Sequence, residues 1–365
     1  MTTSAYIHIP FCVKKCKYCS FVSFETLEKQ KGYLYSLLKE IDYYYKGEPL
    51  KTFYIGGGTP STLLIKDLKM LVSKFDFAPD CECTIELNPN DVTDEYAKGL
   101  KEIGFNRVSL GSQTFDDNLL KLIGRRHTSY EIVNAVQILK KNGFENISLD
   151  LIYGLPEQTI EGFESDLKQL FELDIQHISL YGLKIDEGSY FYINEPDNLP
   201  DDDTQADMYL LANKLAKENG FKHYEVSNYS KDGYNSRHNT NYWECGEYYG
   251  FGVSAHGFEN GVRYSNKTIL EDYMQNPMDR EFGKFLTKQE ELEERIFLGF
   301  RLEKGIDVGK INSEFEIDFE DKYKDVLEKY LSTGHILKTE NGYKLSNEAQ
   351  NNGFLISNLI LSEFI

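Results

Sequence analysis

The sequence predicts an α/β fold: a partial (β/α)6 barrel of the TIM type, followed by a smaller C-terminal α+β domain. Strand-like and helix-like segments alternate from residue 4 to about residue 226. The strand-like segments are apolar on both faces, which is typical of a parallel sheet covered by helices. A helix–glycine–strand unit recurs along this region, and about six or seven such units suggest an open or partial barrel. A doubly wound sheet is the main alternative.

The recurring unit is clearest in two segments that lie 39 residues apart. Residues 101–110 (KEIGFNRVSL) return as residues 140–149 (KKNGFENISL), and residues 217–221 (KENGF) repeat the first half. Each copy has a basic last helical turn and then a glycine at the position that favours left-handed backbone. A buried strand follows in the two full copies. The unit therefore predicts where helices stop and strands begin.

The other elements of the barrel follow from local signals. A capping box from Thr128 to Glu131 predicts the start of the helix before the second copy. Helices are also predicted near residues 65–75 and 94–103. The remaining predicted strands are a short apolar segment from residue 4 onward, 52–55, 83–87 and 177–180.

Polar and glycine-rich residues fall just after the predicted strands, where parallel barrels carry their functional groups. A cysteine-rich loop follows the first strand, and a Gly-Gly-Gly-Thr-Pro run at residues 56–60 follows the second. Consecutive glycines let backbone amides approach a charged ligand closely. Single polar residues end or follow the later strands: Glu86, Gln113, Asp150 and Tyr181. We therefore expect a ligand site at this end of the barrel.

The cysteine-rich loop contains Cys12, Cys16 and Cys19 in a C-x3-C-x2-C run. Thiolates at this spacing can ligate an iron–sulfur cluster, and three ligands leave one iron of a [4Fe–4S] cube open. The alternatives are a zinc site with His8 as the fourth ligand and inert buried thiols. The remaining cysteines are interpreted as structural: Cys81, Cys83 and Cys245.

Composition and charge exclude some classes of function. The chain of 365 residues carries 40 basic and 59 acidic side chains, and its net charge of -19 disfavours a nucleic-acid partner. No apolar stretch approaches the roughly 18 residues that a transmembrane helix needs. The N-terminus does not resemble a signal peptide, so we expect a cytoplasmic protein with reduced thiols. Weak membrane association and a homodimer stay open.

Several motifs, in order along nearly the whole chain, resemble the oxygen-independent coproporphyrinogen III oxidase group of radical S-adenosylmethionine (SAM) proteins. These motifs are Y-x-H-I-P-F-C at residues 6–12, the Gly-Gly-Gly-Thr-Pro run, Gln113 with Arg125 twelve residues later, and D-L-I-Y-G-L-P at 150–156. The resemblance implies a radical SAM barrel in which the three cysteines of the run ligate a [4Fe–4S] cluster and SAM occupies the open iron. It also implies a SAM-binding shell: Tyr6, Gly57, Gly58, Thr59, Glu86, Gln113, Arg125 and Asp150.

That group contains oxidases and HemW-type haem chaperones, and this sequence favours the chaperones. Phe21 stands where the oxidases have a fourth cysteine, and Cys12 is already the twelfth residue, whereas the oxidases carry a long segment before the motif. Residues 237–243 (RHNTNYW) contain the H-N-x-x-Y-W pattern typical of the chaperones. The resemblance implies a protein that binds haem and passes it to acceptor haemoproteins. The alternatives are a SAM-dependent coproporphyrinogen III oxidase and a radical SAM enzyme that acts on another substrate.

The H-N-x-x-Y-W pattern supplies the haem-binding candidates. Imidazole is a common axial ligand of haem iron, so His238 is either that ligand or a support of the pocket. Tyr242 and Trp243 could stack on the porphyrin, and His256 is a second candidate ligand.

A basic stretch surrounds the cysteine loop in an otherwise acidic chain. Lys14, Lys15 and Lys17 could dock an acidic electron donor such as a flavodoxin or a ferredoxin. The alternative is that these lysines are simply solvated.

The sequence divides into three parts. Residues 1–226 form the barrel, residues 227–285 hold the H-N-x-x-Y-W segment and a linker at 270–285, and residues 286–365 form the C-terminal domain. Helices, a small hairpin and a last apolar helix predict a winged-helix-like module in the third part. Its acidity argues against DNA, so we expect it to cover the barrel mouth or to meet a partner protein.

Overall fold

The computed structural model describes residues 2–346 and 353–364. The strands are β1 (Ser4–Ile9), β2 (Leu50–Gly57), β3 (Phe77–Leu87), β4 (Arg107–Gln113), β5 (Ile147–Tyr153), β6 (His177–Gly182), β7 (Lys222–Glu225), β8 (Asn228–Ser230), β9 (Tyr249–Phe251), β10 (His256–Glu259), β11 (Val262–Ser265), β12 (Phe282–Phe285), β13 (Ile306–Asp307), β14 (Ile336–Lys338) and β15 (Gly342–Leu345). The α-helices are α1 (Gln30–Tyr44), α2 (Ile65–Val72), α3 (Asp94–Glu102), α4 (Asp117–Leu122), α5 (Ser129–Lys141), α6 (Ile160–Glu172), α7 (Tyr190–Ile193), α8 (Asp202–Glu218), α9 (Arg237–Trp243), α10 (Leu270–Gln275), α11 (Lys288–Gly299), α12 (Val308–Phe315), α13 (Phe319–Lys322), α14 (Lys324–Ser332) and α15 (Gly353–Ser362).

The main sheet has nine strands in the order β7-β8-β6-β5-β4-β3-β2-β1-β9. Strands β1 to β6 are parallel and follow the chain in order, which confirms the predicted partial (β/α)6 barrel. The strand β9 adds to β1 in parallel, and the hairpin β7–β8 joins β6 in antiparallel. The sheet therefore starts and ends with strands that come after the sixth unit.

The strands of the barrel are buried on both faces, but the two faces differ in chemistry. In β1, Ala5, Ile7 and Ile9 are fully buried in the apolar core under the helices, while Tyr6 and His8 point to the opposite side. Cross-strand pairing in register continues this inward row. It contains Tyr6, His8, Thr52, Tyr54, Glu82, Thr84, Glu86, Arg107, Ser109, Ser148, Asp150, His177 and Ser179. The barrel interior is thus polar.

The predicted helix boundaries in the repeated units are confirmed. Thr128 and Glu131 form the predicted capping box at the start of α5. Gly104, Gly143 and Gly220 follow α3, α5 and α8 with φ values of 104°, 81° and 81°. A β-carbon is disfavoured in this left-handed backbone, so glycine stops each helix and turns the chain toward the next strand.

The segment after the barrel is more ordered than the sequence suggested. Residues 270–285, expected as a linker, contain α10 and the strand β12, which pairs with β11 in a sheet with β10. All four residues of β12 are exposed, so the strand has no alternation of buried and exposed side chains from which it could be predicted. Its order comes from pairing with a distant segment.

The C-terminal part has its own apolar core. Helices α11, α12, α13 and α14 pack with the three-stranded sheet β13-β15-β14, and the predicted hairpin corresponds to β14 and β15. The end of the predicted last helix, Ile365, lies outside the described residues. In the described parts of the chain, no helix has both the length and the hydropathy needed to span a membrane.

Candidate functional site

The cysteine loop leaves the carboxyl end of β1 and is held at both ends by backbone hydrogen bonds. The amide of Cys12 donates to the carbonyl of Phe24 (3.0 Å), and the amide of Phe24 donates to the carbonyl of Pro10 (2.6 Å). In the middle of the loop, the amide of Lys17 donates to the carbonyl of Ile123, beyond α4 (2.9 Å). The loop is therefore fixed against the barrel.

The three thiols of this loop lie close enough to influence one another. Burial raises the pKa of Cys12, and burial raises the pKa of Cys19 to about 11, with Cys16 and Cys12 adding to the rise at Cys19. Two donors point at the sulfur atoms: Thr59 Oγ1 lies 3.4 Å from Cys12 Sγ, and Arg125 Nη1 lies 3.4 Å from Cys16 Sγ. Donors of this kind stabilise sulfur that carries negative charge, as in a ligated cluster.

The geometry does not favour the zinc alternative. The two ring nitrogens of His8 already have partners, the hydroxyl of Tyr6 (3.0 Å) and the carbonyl of Val22 (2.9 Å). Within residues 2–346 and 353–364, no three His, Cys, Asp or Glu side chains converge on a point suited to one metal ion. For His8 to serve as the fourth ligand of a zinc site, one of its two present contacts would have to break.

The glycine run at the end of β2 makes room for neighbouring groups. Gly57 has φ of 116°, and a β-carbon there would lie 2.7 Å from the ring of His8. A β-carbon on Gly58 would lie 2.9 Å from the backbone of Phe11 and 3.1 Å from Cys12 Sγ. The run thus packs closely against His8 and the cysteine loop, and its amides donate within the protein, Gly57 to Glu86 (3.1 Å) and Gly58 to the carbonyl of Ile9 (2.8 Å). The close approach of a ligand to this backbone stays a prediction.

Two carboxyl groups face the same space from β3 and β5. Glu86 accepts hydrogen bonds from the hydroxyl of Tyr54 (2.9 Å) and from the amide of Gly57 (3.1 Å). Burial raises the pKa of Glu86 to about 7, and the charge of Asp150 adds to the rise. Burial also raises the pKa of Asp150, which accepts from Ser109 Oγ (3.0 Å). A cationic ligand would relieve both penalties.

Arg125 reaches this space from the loop after α4. Its Nη2 donates to the carbonyl of Gly111 and to Asn88 Oδ1 (3.0 Å), and a β-carbon on Gly111 would lie 3.1 Å from Nη2. Its buried Nε has no acceptor among the described residues. Gln113 follows at a bulge in β4 with φ of 69°. An unpaired guanidinium N–H beside a bulged strand is suited to a carboxylate ligand.

The structure therefore gathers the predicted SAM shell at the carboxyl ends of β1 to β5. We call this region the rim; its residues are Tyr6, Gly57, Gly58, Thr59, Glu86, Gln113, Arg125, Asp150 and the three loop cysteines, Cys12, Cys16 and Cys19.

Sequence reasoning missed two residues that hold the rim together. Tyr54 positions Glu86, and Asn88 accepts from Arg125 and contacts His127 Nδ1 (3.0 Å). Asn88 directly follows β3, so the rule that functional groups follow strands could have found it. Tyr54 lies inside β2 and carries no such signal.

The H-N-x-x-Y-W segment forms α9 and lies at the opposite end of the barrel. His238 is 1% exposed, and its two ring nitrogens contact Thr52 Oγ1 (2.8 Å) and the hydroxyl of Tyr242 (2.7 Å). Its ring stacks on Tyr54 with centroids 5.1 Å apart. Thr52 precedes Gly56 by four residues on β2, or about 13 Å at about 3.3 Å per residue. In this arrangement neither nitrogen of His238 is available to an iron.

The start of α9 is anchored inside the barrel. The backbone amides of Arg237 and His238 both donate to the carboxylate of Glu82 on β3 (3.0 Å each). A carboxylate at a helix N-terminus accepts hydrogen bonds from the free amides and interacts favourably with the positive end of the helix dipole. Burial lowers the pKa of His238 to about 3, and nearby Arg107 acts in the same direction, so the imidazole is neutral. The helix closes the amino end of the barrel.

The other predicted haem residues lie at the end of α9 or beyond it. Tyr242 packs edge-on against Tyr248, with ring centroids 4.5 Å apart. Trp243 lies under the guanidinium of Arg301, which is 4.6 Å from the ring centroid. His256 is exposed at the start of β10.

Comparisons with known proteins place these observations in context. A family model described as the radical SAM superfamily matches residues 6–170, and one described as the HemN C-terminal domain matches residues 286–350. A protein of Lactococcus lactis described as haem chaperone HemW is 39% identical over 94% of this chain and 95% of its own length. Proteins with the same description are 35% identical in Bacillus subtilis, covering 99% of each chain, and 36% identical in Escherichia coli, covering 80% of this chain and 78% of the relative.

A solved structure supports the fold independently. The chain superimposes on the coproporphyrinogen III oxidase HemN of Escherichia coli, described as a radical SAM enzyme, with a TM-score of 0.87. The alignment covers 100% of this chain and 90% of that one, at 23% identity. At this identity the likeness establishes the fold and leaves the reaction to other evidence.

Proposed function

Because the chain belongs to the radical SAM superfamily, in the family of the bacterial proteins described as haem chaperone HemW, we propose that it binds haem and transfers it to acceptor haemoproteins. The observation that carries this proposal is the near full-length similarity to those relatives in a chain that also contains the H-N-x-x-Y-W helix. The radical SAM rim is shared with enzymes, so it does not by itself distinguish a chaperone from an oxidase.

The rim residues fit the cofactors that the superfamily implies. Cys12, Cys16 and Cys19 would ligate a [4Fe–4S] cluster, with Thr59 and Arg125 donating to the sulfur atoms. When bound and reduced, such a cluster would supply one electron to SAM.

Each remaining rim group has a role toward SAM that follows from its chemistry. The free N–H of Arg125 suits the methionine carboxylate, and Glu86 suits the ammonium group. Asp150, held by Ser109, can accept from ribose hydroxyls. Gly57 and Gly58 have no side chains, so the backbone at the end of β2 can pack directly against His8 and the cysteine loop that would hold the cluster. Tyr6 and Gln113 complete the shell, Tyr6 by fixing His8 beneath Gly57.

The H-N-x-x-Y-W helix contributes to haem binding mainly as a support in this proposal. His238 holds Tyr242 through a hydrogen bond of 2.7 Å, and Tyr242 turns its ring toward a cleft outside the barrel. The guanidinium of Arg301 lies over the ring of Trp243 and stabilises the end of α9. Direct ligation by His238 would require both of its present contacts to break.

An electron donor would approach from the cluster side. Lys14 is exposed and Lys15 and Lys17 are half-buried on the cysteine loop, beside exposed Val13 and Phe21. We propose that an acidic flavodoxin or ferredoxin docks there in the cytoplasm, since opposite charges steer such encounters. The donor should lose affinity when these lysines are replaced by glutamine.

One experiment separates the chaperone from the oxidase. The anaerobically purified protein, with its cluster and SAM, is titrated with haem, mixed with an apo-haemoprotein, and separately supplied with coproporphyrinogen III and reductant. We expect saturable haem binding, transfer to the acceptor and no protoporphyrinogen. Repeated turnover of coproporphyrinogen would make the oxidase the better account, and absence of haem binding would favour a radical SAM enzyme with another substrate.

A further inference from the structure

The barrel interior contains an arginine, Arg107, which is among the largest fully buried side chains of the described chain. It begins β4 in the inward row, where Thr84 of β3 is its partner in register. The residue is only 1% exposed. An arginine side chain has five N–H donors and stays protonated in proteins, so its burial calls for acceptors and for a negative charge.

Residues 2–346 and 353–364 do not supply these partners. The guanidinium of Arg107 has no hydrogen-bond acceptor and no ion pair among them, and its Nε is fully buried. The hydroxyl of Thr84, a fully buried residue, also has no partner there. Two unsatisfied polar side chains therefore lie on adjacent strands of the interior. A buried charge in this state is costly, which makes it a candidate site for a ligand of opposite charge.

The carboxyl groups of the interior are engaged elsewhere. Glu82, Glu86 and Asp150 accept hydrogen bonds from the first amides of α9, from a tyrosine hydroxyl and from a serine hydroxyl, respectively. Burial raises the pKa of Glu86 to about 7, so this carboxyl carries only part of a negative charge near neutral pH. The positive charge of Arg107 is therefore not neutralised by a direct contact.

Three rings from different elements border the same space. Burial lowers the pKa of His177 on β6 and of His238 on α9, and the charge of Arg107 acts in the same direction on both. The same charge opposes the rise that burial causes in the pKa of Tyr54 on β2. The guanidinium thus points into the interior between the rim and α9. Both histidines already have partners at both ring nitrogens, so neither is an acceptor for it.

This set of donors suits a carboxylate. Water accepts hydrogen bonds from N–H groups but does not neutralise their charge, and a metal cation would be repelled. A carboxylate accepts two parallel hydrogen bonds from a guanidinium, and the hydroxyl of Thr84 offers a third donor. The ligand would enter from the rim, because α9 closes the other end of the barrel.

We propose that Arg107 and Thr84 form a carboxylate-binding site inside the barrel, between the rim and α9. Neither residue belongs to the SAM shell described above, and the site does not depend on the haem-chaperone proposal. The carboxylate is either a small free ion or the end group of a longer ligand that reaches in through the rim. Binding is reversible and involves no covalent step.

The test measures the thermal unfolding of the full-length, cluster-loaded protein in increasing sodium formate at constant ionic strength. The unfolding midpoint of the wild type should rise in a saturable way, because formate would bind only the folded state. Arg107→Met should lose this response. Without formate, its midpoint should equal or exceed that of the wild type, because the variant removes an unpaired buried charge.

Arg280→Met is the matched control for this variant. Arg280 already has a partner, Glu259 (2.9 Å), so its replacement should lower the midpoint and leave the formate response intact. Thr84→Val is a smaller change at the site, because it keeps the shape of the side chain and removes the hydroxyl. It should weaken formate binding about threefold to tenfold. Iron and sulfide content should stay at the wild-type level in every variant, which checks folding.

A series of formate, acetate, butyrate and hexanoate distinguishes the two sources of the carboxylate. Affinity that rises with chain length assigns it to a longer ligand, and affinity that falls beyond acetate assigns it to a free ion. A wild type without a saturable response would overturn the site, and so would an equal response in Arg107→Met. Haem is absent from these measurements, so their failure leaves the chaperone proposal standing.

Discussion

The two ends of the barrel use similar residues for opposite purposes. At the rim, the free N–H of Arg125 and the raised pKa of Glu86 leave binding capacity that the protein itself does not use. At the amino end, Glu82 caps α9, and the two ring nitrogens of His238 are in contact with Thr52 and Tyr242. One end is prepared for a ligand, and the other is closed by the protein's own side chains.

This difference shows how to interpret a sequence motif. The C-x3-C-x2-C run and the H-N-x-x-Y-W pattern are equally conspicuous in the sequence, yet only the first presents unsatisfied ligand atoms. A histidine in a family pattern is a candidate ligand until its partners are known. The deciding quantity is the coordination capacity that remains after the internal hydrogen bonds are counted.

The largest contrast should appear when cysteines are replaced. Changing Cys12, Cys16 or Cys19 to serine should abolish the cluster, because each thiolate would ligate one iron and the loss of one leaves two irons without a protein ligand. Iron and sulfide, expected at about four each per chain, should fall to background. The controls Cys81→Ser, Cys83→Ser and Cys245→Ser should keep the wild-type content. Stoichiometric zinc in the wild type would contradict the cluster assignment.

A substitution at the amino end of the barrel should lower the stability of the protein. His238→Ala removes two hydrogen bonds and the ring stacked on Tyr54, so the free energy of unfolding should fall by about 2–4 kcal/mol. The spectrum of bound ferric haem should keep its form. Chemical denaturation and haem spectra of the same sample measure both effects. An altered haem spectrum at unchanged stability would instead favour direct ligation by His238.

The stability of the protein should depend on pH through Glu86 at the rim. Folded Glu86 keeps its proton up to about pH 7, whereas an unfolded glutamate releases it near about 4.3, so the free energy of unfolding should decrease as pH rises through this window. For this half-buried group we expect about 1–2 kcal/mol. Without cluster and SAM, Glu86→Gln should flatten the decrease. Part of the slope should persist, because the buried Glu40 has its pKa raised to about 7 as well.

The smallest effect should come from Trp243. Trp243→Phe keeps an aromatic ring but weakens the interaction with Arg301, which should cost about 0.5–1 kcal/mol of stability. Cluster content and haem spectrum should not change. A loss of haem affinity larger than the loss of stability would show that the indole contacts the porphyrin itself.

Much of the fold could be predicted because its signals are local. The repeated helix–glycine–strand unit gave the barrel, and the capping box at Thr128 gave the start of α5. Strand β9 has three residues and β12 is exposed throughout, so neither has a pattern of its own. Both are strands because a distant partner supplies their hydrogen bonds. Such elements are set by tertiary structure, which overrides local propensity.

The candidate site also has parts that local sequence motifs predict and parts that only the tertiary structure shows. The cysteine loop and the glycine run are short contiguous motifs, and the family resemblance extends them to Glu86, Arg125 and Asp150. The role of Tyr54 could not be predicted, because it depends on a partner 32 residues away in sequence.

The strand β9 has a consequence for how such proteins can be rearranged in evolution. The cluster loop grows from β1, and β1 has neighbours on both sides only because β9 pairs with it. A fusion that kept only the first 226 residues would remove β9, deprive β1 of that neighbour and expose a strand edge prone to aggregation. Recombination should therefore tolerate breakpoints after β9 far better than breakpoints before it. A breakpoint before β9 would also separate the barrel from the strand that completes its pairing beside the cysteine loop.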